Sequence, residues 1–323
     1  MKRRIKFVCL LLTILSLSAF PLSAQIITNN LLLWFKAGAG VTVDGSGTNV
    51  TQWADQSGNG YLAQQAALTP GVQPDLVTNA IHGQPALHFN GAASGDHLFI
   101  TNNTVNLSSG LSIFIIAQNN VRKDYNGLFK LYHTAVPGGA SSDLEIYWQA
   151  GTAGSGNIYY VANRDTYPGV YGDVGGFNQP PNAGNPYLYD IRAVSSSATQ
   201  RVNGATAGAP SGNTFVPTNT ADKAVIGYGF SAYPIDGYIA EVIVYNTALS
   251  QTQRDGVWAY LEGKYSLGIP EPSTVAFLAM GGSLLERRSA QNEMCPNRVH
   301  IEHGQILFLL VPAVGMCHDV GHY

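Results

Sequence analysis

Leu111-Ser112-Ile113-Phe114-Ile115-Ile116-Ala117 is a nearly unbroken apolar run. Its short length and β-branched content read as a strand buried on both faces at the centre of a sheet. Outward from it the pattern repeats in weaker form. Asp143-Leu144-Glu145-Ile146-Tyr147-Trp148 alternates, with Leu144, Ile146 and Trp148 on one face. Tyr187, Tyr189, Ile191 and Ala193 form another face of period two. Further strands are predicted at 86–89, 97–100, 127–133, 157–162, 199–202, 224–227 and 238–245. Asn203-Gly204 supplies a tight turn. Many short strands with Gly, Asn and Pro between them predict an all-β chain: a two-sheet antiparallel β-sandwich of the jelly-roll kind, without βαβ units. The strand at 238–245 puts Glu241 on the face of Ile239, Ile243 and Tyr245, partly covered or turned outward. No internal repeat is evident.

One helix is predicted near the end of the sandwich. Ser250-Gln251-Thr252-Gln253 has the form of a capping box. Val257, Leu261 and Tyr265 then recur at i, i+4 and give an apolar stripe, and Gly268 and Pro270 end the helix.

Charged residues make up 11% of the chain, against about 25% in ordinary soluble proteins. The net charge of −3 carries no nucleic-acid footprint. A surface of hydroxyls, amides and aromatic rings suits a neutral polymer such as a polysaccharide, and equally an inert matrix protein. Residues 25–268 hold no cysteine; a core of this size does not need disulfides, and thiolate metal centres are excluded from it.

The ends carry targeting information. Met1-Lys2-Arg3-Arg4-Ile5-Lys6, an apolar run over 7–17 and small residues to Ala24 follow the order of a secretory signal peptide, 1–24, cleaved after Ala24. The apolar run is too short to span a bilayer. Cys9 lies inside it and is not placed as a lipid acceptor. Past the sandwich, Ile269-Pro270-Glu271-Pro272-Ser273-Thr274 precedes an apolar segment over 275–285 and then Arg287-Arg288.

These features resemble two known families. Leu32-Leu33-Trp34-Phe35-Lys36-Ala37, Trp53-Ala54-Asp55-Gln56-Ser57-Gly58-Asn59-Gly60 and the closing stretch from Asp236 to Ser250 resemble the laminin-G-like, concanavalin A-like jelly rolls. That resemblance covers roughly 31–267 and implies a sandwich of about a dozen antiparallel strands. It leaves function open, because such folds serve as lectins, adhesion modules, glycanases and spacers. The segment 269–288, with Pro270, Glu271, Pro272, Arg287 and Arg288, resembles a PEP-CTERM sorting signal. That resemblance implies processing by an exosortase, transient membrane association through the apolar segment, and delivery to the cell surface or extracellular matrix. The arginines suit the cytoplasmic side. Glu286 and the continuation through 289–323 depart from the pattern. That extension carries Cys295, His300, His303, Cys317, His318 and His322 in no zinc spacing. It reads as a frameshifted or read-through tail, with a metal site as the alternative.

Candidate chemistry on the sandwich is sparse. Glycan cleavage needs two carboxylates flanking the sugar bond. Asp143 and Glu145 share a strand face, but the stretch runs on to Tyr147 and Trp148 without a third acid. A solvated strand face is the simpler reading, and no catalytic residues are assigned. Asp55 and Asn59 on a glycine-rich loop, joined by Asp236, form a candidate structural calcium site, with a plain turn as the competing reading. Tyr147, Tyr159 and Tyr167 are the candidate ligand-binding rings, Tyr147 on the surface and Trp148 in the core. The expectation is an exported, non-catalytic carbohydrate-binding or adhesion-type sandwich. A secreted glycan-degrading enzyme and a purely structural matrix protein are the alternatives.

Overall fold

The computed structural model describes Ala24 and residues 26–268, apart from 66–72, 92–95, 102–106, 108–109, 122–125, 133–143, 150–156, 163–171, 175–182, 208–209, 213–214, 217–222 and 230–233. The rest of the predicted signal peptide, the sorting segment 269–288, the tail 289–323, Asp143 and Tyr167 lie outside the described residues. By contact the chain divides into two units, Met1–Glu271 and Pro272–Tyr323, and every described residue belongs to the first. Among the described residues no helix is long and apolar enough to cross a membrane.

The chain order begins β1 (Leu31–Lys36), β2 (Val41–Val43), β3 (Val50–Ala54), β4 (Leu62–Gln64), β5 (Asp75–Ile81) and β6 (Gln84–Asn90). It continues through β7 (Leu98–Thr101), β8 (Leu111–Asn119), β9 (Asn126–Tyr132), β10 (Leu144–Gln149), β11 (Asn157–Ala162) and β12 (Gly172–Val174). The last elements are β13 (Pro186–Val194), β14 (Ser197–Val202), β15 (Ala205–Ala207), β16 (Pro210–Gly212), β17 (Lys223–Ile226), β18 (Asp236–Tyr245) and α1 (Gln251–Tyr265). The strands form two antiparallel sheets. One has eight strands in the order β15-β14-β13-β8-β18-β6-β5, with β1 also on β18; the other has ten, in the order β16-β12-β11-β10-β9-β17-β7-β4-β3-β2.

β8 is buried on both faces, as its composition requires. Ile113 and Ile115 face the core between the sheets, with Phe35, Trp53, Phe129 and Trp148. Phe114 and Ile116 face the opposite way, into a second apolar cluster under the helix. β18 runs the length of β8 along one edge. Its other edge is shared: Asp236–Ile239 pairs with β6, and Glu241–Tyr245 with β1. A bulge between Ile239 and Glu241 corrects the expected facing. Ile239 lies in the inter-sheet core, while Ile243 and Tyr245 lie under the helix. A single inserted residue reverses the alternation, which a count of twos along the sequence does not register.

α1 lies on that second cluster through Val257, Trp258, Leu261 and Tyr265. The capping box forms: the Gln253 N–H donates to Ser250 Oγ (3.3 Å), and the Ser250 N–H donates to Gln253 Oε1 (2.9 Å). Such a cap contributes about 1 kcal/mol. The helix stops before Gly268: Ser266 turns left-handed (φ 49°) and its N–H donates to Glu262 O at 2.7 Å.

Two carboxylates with no solvent exposure fasten α1 to the sheet. Glu241 accepts from Trp34 Nε1 (2.6 Å), Tyr260 OH (3.1 Å), Lys264 Nζ (2.6 Å) and Tyr265 OH (2.8 Å). Burial and this carboxylate hold the Tyr260 and Tyr265 hydroxyls far above the usual phenol range. Asp190 on β13 accepts from Arg201 Nε (2.8 Å), from Arg254 Nε and NH2 (3.1 and 2.7 Å) and from Trp258 Nε1 (2.8 Å).

Asp55 to Asn59 also has a structural task. The Trp34 N–H donates to Asp55 Oδ1 (2.7 Å), the Gln56 N–H to Trp34 O (2.7 Å), and Asn59 Nδ2 to both Leu31 O and Leu32 O (2.9 Å each). The loop therefore covers the edge of β1 that faces away from β18, where an open edge invites pairing with other chains.

Candidate functional site

The ten-stranded sheet turns one face to the core and the other outward. Strand register links one residue per strand into a row across the outward face, Gln52, Gln64, Phe99, Val225, Lys130 and Glu145, and the backbone register continues through Val161, Asp173 and Ser211. The row divides by burial. Gln52, Gln64 and Phe99 are half-buried, whereas Val225, Lys130 and Glu145 are buried. Lys130 and Glu145 stand directly opposite each other on β9 and β10, so the charges are compensated across the strands.

A close backbone crossing accounts for part of the cover. After β17 the chain makes a turn at Gly227 (φ 84°), where a Cβ would meet the Phe89 ring at 2.3 Å. It then passes over β9 so tightly that a Cβ on Gly127 would lie 1.8 Å from Gly229 N. A Cβ on Gly229 would lie 3.2 Å from Glu145 Oε1. This corrects the expectation of a solvated strand face at Glu145, which has no solvent exposure. Tyr147, expected on the surface, is likewise 6% exposed. The alternation assigned both residues correctly to the face away from Leu144, Ile146 and Trp148. It could not show that another segment lies over that face.

The same crossing builds an aromatic group at the half-buried end of the row. His97 stands edge-on to Phe99 (centroids 4.7 Å, planes at 88°) and packs against Tyr228 at 5.0 Å. Burial raises the Tyr228 hydroxyl pKa. Three half-buried rings beside the amides of Gln52 and Gln64 offer apolar faces with hydrogen-bonding edges, the combination that suits a sugar ring. One register step along, Tyr147 pairs with Tyr159 on β11 and with Gly127 on β9. Two of the three sequence candidates are thus cross-strand neighbours. Sequence reasoning missed the ring trio because Tyr228 reaches it only through the turn after β17.

Asp96 lies immediately before the trio, 2% exposed, and accepts from the Asn90 N–H (2.9 Å) and Asn90 Nδ2 (3.1 Å). Burial, with a contribution from Asp75, raises its pKa from 3.8 to about 6 against those bonds and the pull of His88. The sign follows from linkage. The folded state holds this proton more tightly than the unfolded chain, so stability is lost as pH rises from about 4 to about 6. Asp96→Asn is expected to flatten that part of the profile by ~1–3 kcal/mol, read by urea denaturation at pH 4, 5, 6 and 7. An unchanged slope would place the titration elsewhere.

The calcium candidates are not brought together. Ile243 pairs with Trp34, which sits on Asp55, while Asp236 lies seven residues back along β18; at ~3.3 Å per residue that is ~23 Å. Asp55 and the Asn59 amide are engaged with β1, so this donor set does not fit calcium. Among the described residues no group of three or more His, Cys, Asp or Glu could hold a metal. Chelation is expected to leave the melting temperature unchanged; a drop in differential scanning calorimetry would reveal an ion bound elsewhere.

No family model matches the sequence, and no curated protein matches it. Solved structures do resemble it. The Trypanosoma rangeli sialidase, in complex with a difluoro-KDN, aligns over 77% of this chain and 36% of its own, with 15% identity and a TM-score of 0.50. The binding domain of botulinum neurotoxin DC, in complex with SialylT, aligns over 73% and 52%, with 10% identity and a TM-score of 0.48. Domain 4 of a GH43 extracellular arabinanase from Geobacillus stearothermophilus, in complex with arabinotriose, aligns over 72% and 98%, with 12% identity and a TM-score of 0.48. The chain spans about half the length of the neurotoxin domain and about a third of the sialidase. At these identities the likeness concerns the β-sandwich alone.

Proposed function

We propose that this chain is an exported, non-catalytic β-sandwich that holds glycan on the outward face of its ten-stranded sheet. The observation that carries the reading is the ring trio His97, Phe99 and Tyr228 beside Gln52 and Gln64. The carboxylate on that face, Glu145, is buried opposite Lys130, an arrangement suited to holding a sheet rather than to protonating a sugar oxygen. The signal peptide at 1–24 and the sorting segment with Pro270, Glu271, Pro272, Arg287 and Arg288 support a PEP-CTERM route. On this route an exosortase acts at the motif, association with the membrane is transient, and the cell surface or the polysaccharide matrix is the destination.

A glycan array is the direct test. Phe99→Ala and Tyr228→Ala are each expected to weaken any hit about tenfold, since each removes a ring that stacks on the sugar. Retained affinity in both variants would move the site off this face, no hit at all would favour a purely structural matrix role, and release of reducing sugar would favour a hydrolase.

A further inference from the structure

On the opposite sheet, two guanidinium groups, Arg201 and Arg254, share the Asp190 carboxylate, and a third, Arg192, stands near enough to repel Arg254. Strand register sets Asp190 opposite Arg201 and Arg192 opposite Thr199, and Arg254 enters from the start of α1. Burial depresses the Arg254 pKa; Asp190 opposes that, and Arg201 and Arg192 add to it by repulsion. One carboxylate against three guanidinium groups leaves an excess of positive charge. Asp255, the nearest further acid along α1, accepts from Gln251 Nε2 at 2.6 Å and is not among the charges acting on Arg254.

Not every donor in the cluster is used. Arg192 gives its Nε–H to Leu249 O at 2.8 Å, and its terminal N–H groups have no partner among the described residues. Arg201 keeps 14% side-chain exposure beside Asp190, with its guanidinium 5.1 Å from the Trp258 ring. Thr199, between the two arginines, is exposed, as is Ser197 on the same face of β14. Asp190 is taken up by Arg201, Arg254 and Trp258, so the one carboxylate of the cluster is already engaged before Arg192 is counted.

We propose that Arg192, Arg201 and the Thr199 hydroxyl form an oxyanion site for the carboxylate or sulfate ester of an acidic polysaccharide. The inference rests on the glycan reading only for the carrier of the oxyanion. A guanidinium fork matches a carboxylate or sulfate through two parallel N–H bonds. The site is open, and one rim contact of this kind is weak alone, so it suits a repeating polyanion that already engages the domain on the other sheet.

The full chain is titrated calorimetrically with polygalacturonate and with dextran. The polyuronate is expected to bind tighter, and Thr199→Glu and Arg192→Gln each to raise its Kd about tenfold while leaving dextran unaffected. Arg192→Lys, which keeps the charge, is expected to recover part of the loss. Equal affinity for the two polymers, or an unchanged Kd in both charge variants, overturns the proposal. If Phe99→Ala abolishes polyuronate binding while Thr199→Glu and Arg192→Gln leave its Kd unchanged, the glycan reading stands and this site falls. A second arm does not need a glycan. Sulfate, at ionic strength matched with chloride, is expected to raise the melting temperature of the wild type more than that of Thr199→Glu. Equal rises overturn the site, whereas a difference without polymer binding sustains the site and removes the glycan reading.

Discussion

Glu241→Ala is expected to cost about 3–5 kcal/mol of folding stability and to lower the melting temperature by about 10 °C. The carboxylate is the common acceptor for the Trp34 indole, the Tyr260 and Tyr265 hydroxyls and the Lys264 ammonium. These donors come from β1 and from the last turns of α1, so one substitution strips both attachments at once. Tyr265 is 1% exposed and cannot turn its hydroxyl to water without breaking the apolar cluster. Lys264 retains 20% side-chain exposure and can swing outward. Lys264→Met is therefore expected to cost far less, about 1 kcal/mol. Urea denaturation measures both, and limited proteolysis should show earlier cutting around α1 in the Glu241 variant. Equal costs would mean that the ion pair, not the hydroxyl and indole bonds, holds the helix.

The second large effect is steric. Gly127→Ala places a methyl 1.8 Å from Gly229 N and 2.1 Å from Gly229 Cα. These are backbone atoms of a segment held at both ends: the Gly227 N–H donates to Leu128 O (3.0 Å), and the Ile235 N–H to Gly227 O (3.1 Å). Neither strand nor turn has a rotamer to change, so the cost is expected to exceed about 4 kcal/mol, seen as loss of a cooperative transition or of soluble protein. Gly263→Ala is the contrast. It lies in α1 with nothing within 4 Å of the new methyl and is expected to stabilise by about 0.5–1 kcal/mol. A Gly127→Ala protein that melts like the wild type would show that the crossing is looser than described.

What the sequence conveyed, and what it withheld, follows from the range of the forces involved. Local signals carried well. The apolar run at 111–117 is the doubly buried β8, Leu144, Ile146 and Trp148 are core, and Asn203-Gly204, both with positive φ, is the two-residue turn between β14 and β15. The capping box at Ser250 is present. The short strands β2, β4, β12, β15 and β16 were not legible. Three residues each, they are strands only because neighbours pair with them, and they bring the total beyond the dozen expected. The buried acids Asp190, Glu241 and Glu145 were equally opaque. Charge in a sequence reads as surface, whereas the α1 donors to Asp190 and Glu241 and the backbone at Gly229 that lies against Glu145 come from distant segments. The Asp55–Asn59 loop shows the converse: its oxygen-rich composition suggests an ion, while its partners are the backbone groups of β1.

The placement of β18 sets a schedule for assembly. Its neighbour β1 lies near the opposite end of the chain: the bond from Trp34 to Glu241 spans 207 residues. β18 also separates β8 from β6 and β1, so the eight-stranded sheet stays split until this late strand arrives. A chain emerging from its N-terminus can form the hairpin of β13 and β14 early, but no arrangement of the first 235 residues completes that sheet. Closing so long a loop makes folding slow, because contacts far apart in sequence lose entropy before they gain burial. A chain that delays its own closure remains threadable through a narrow translocation pore for as long as its C-terminal portion has not yet been delivered.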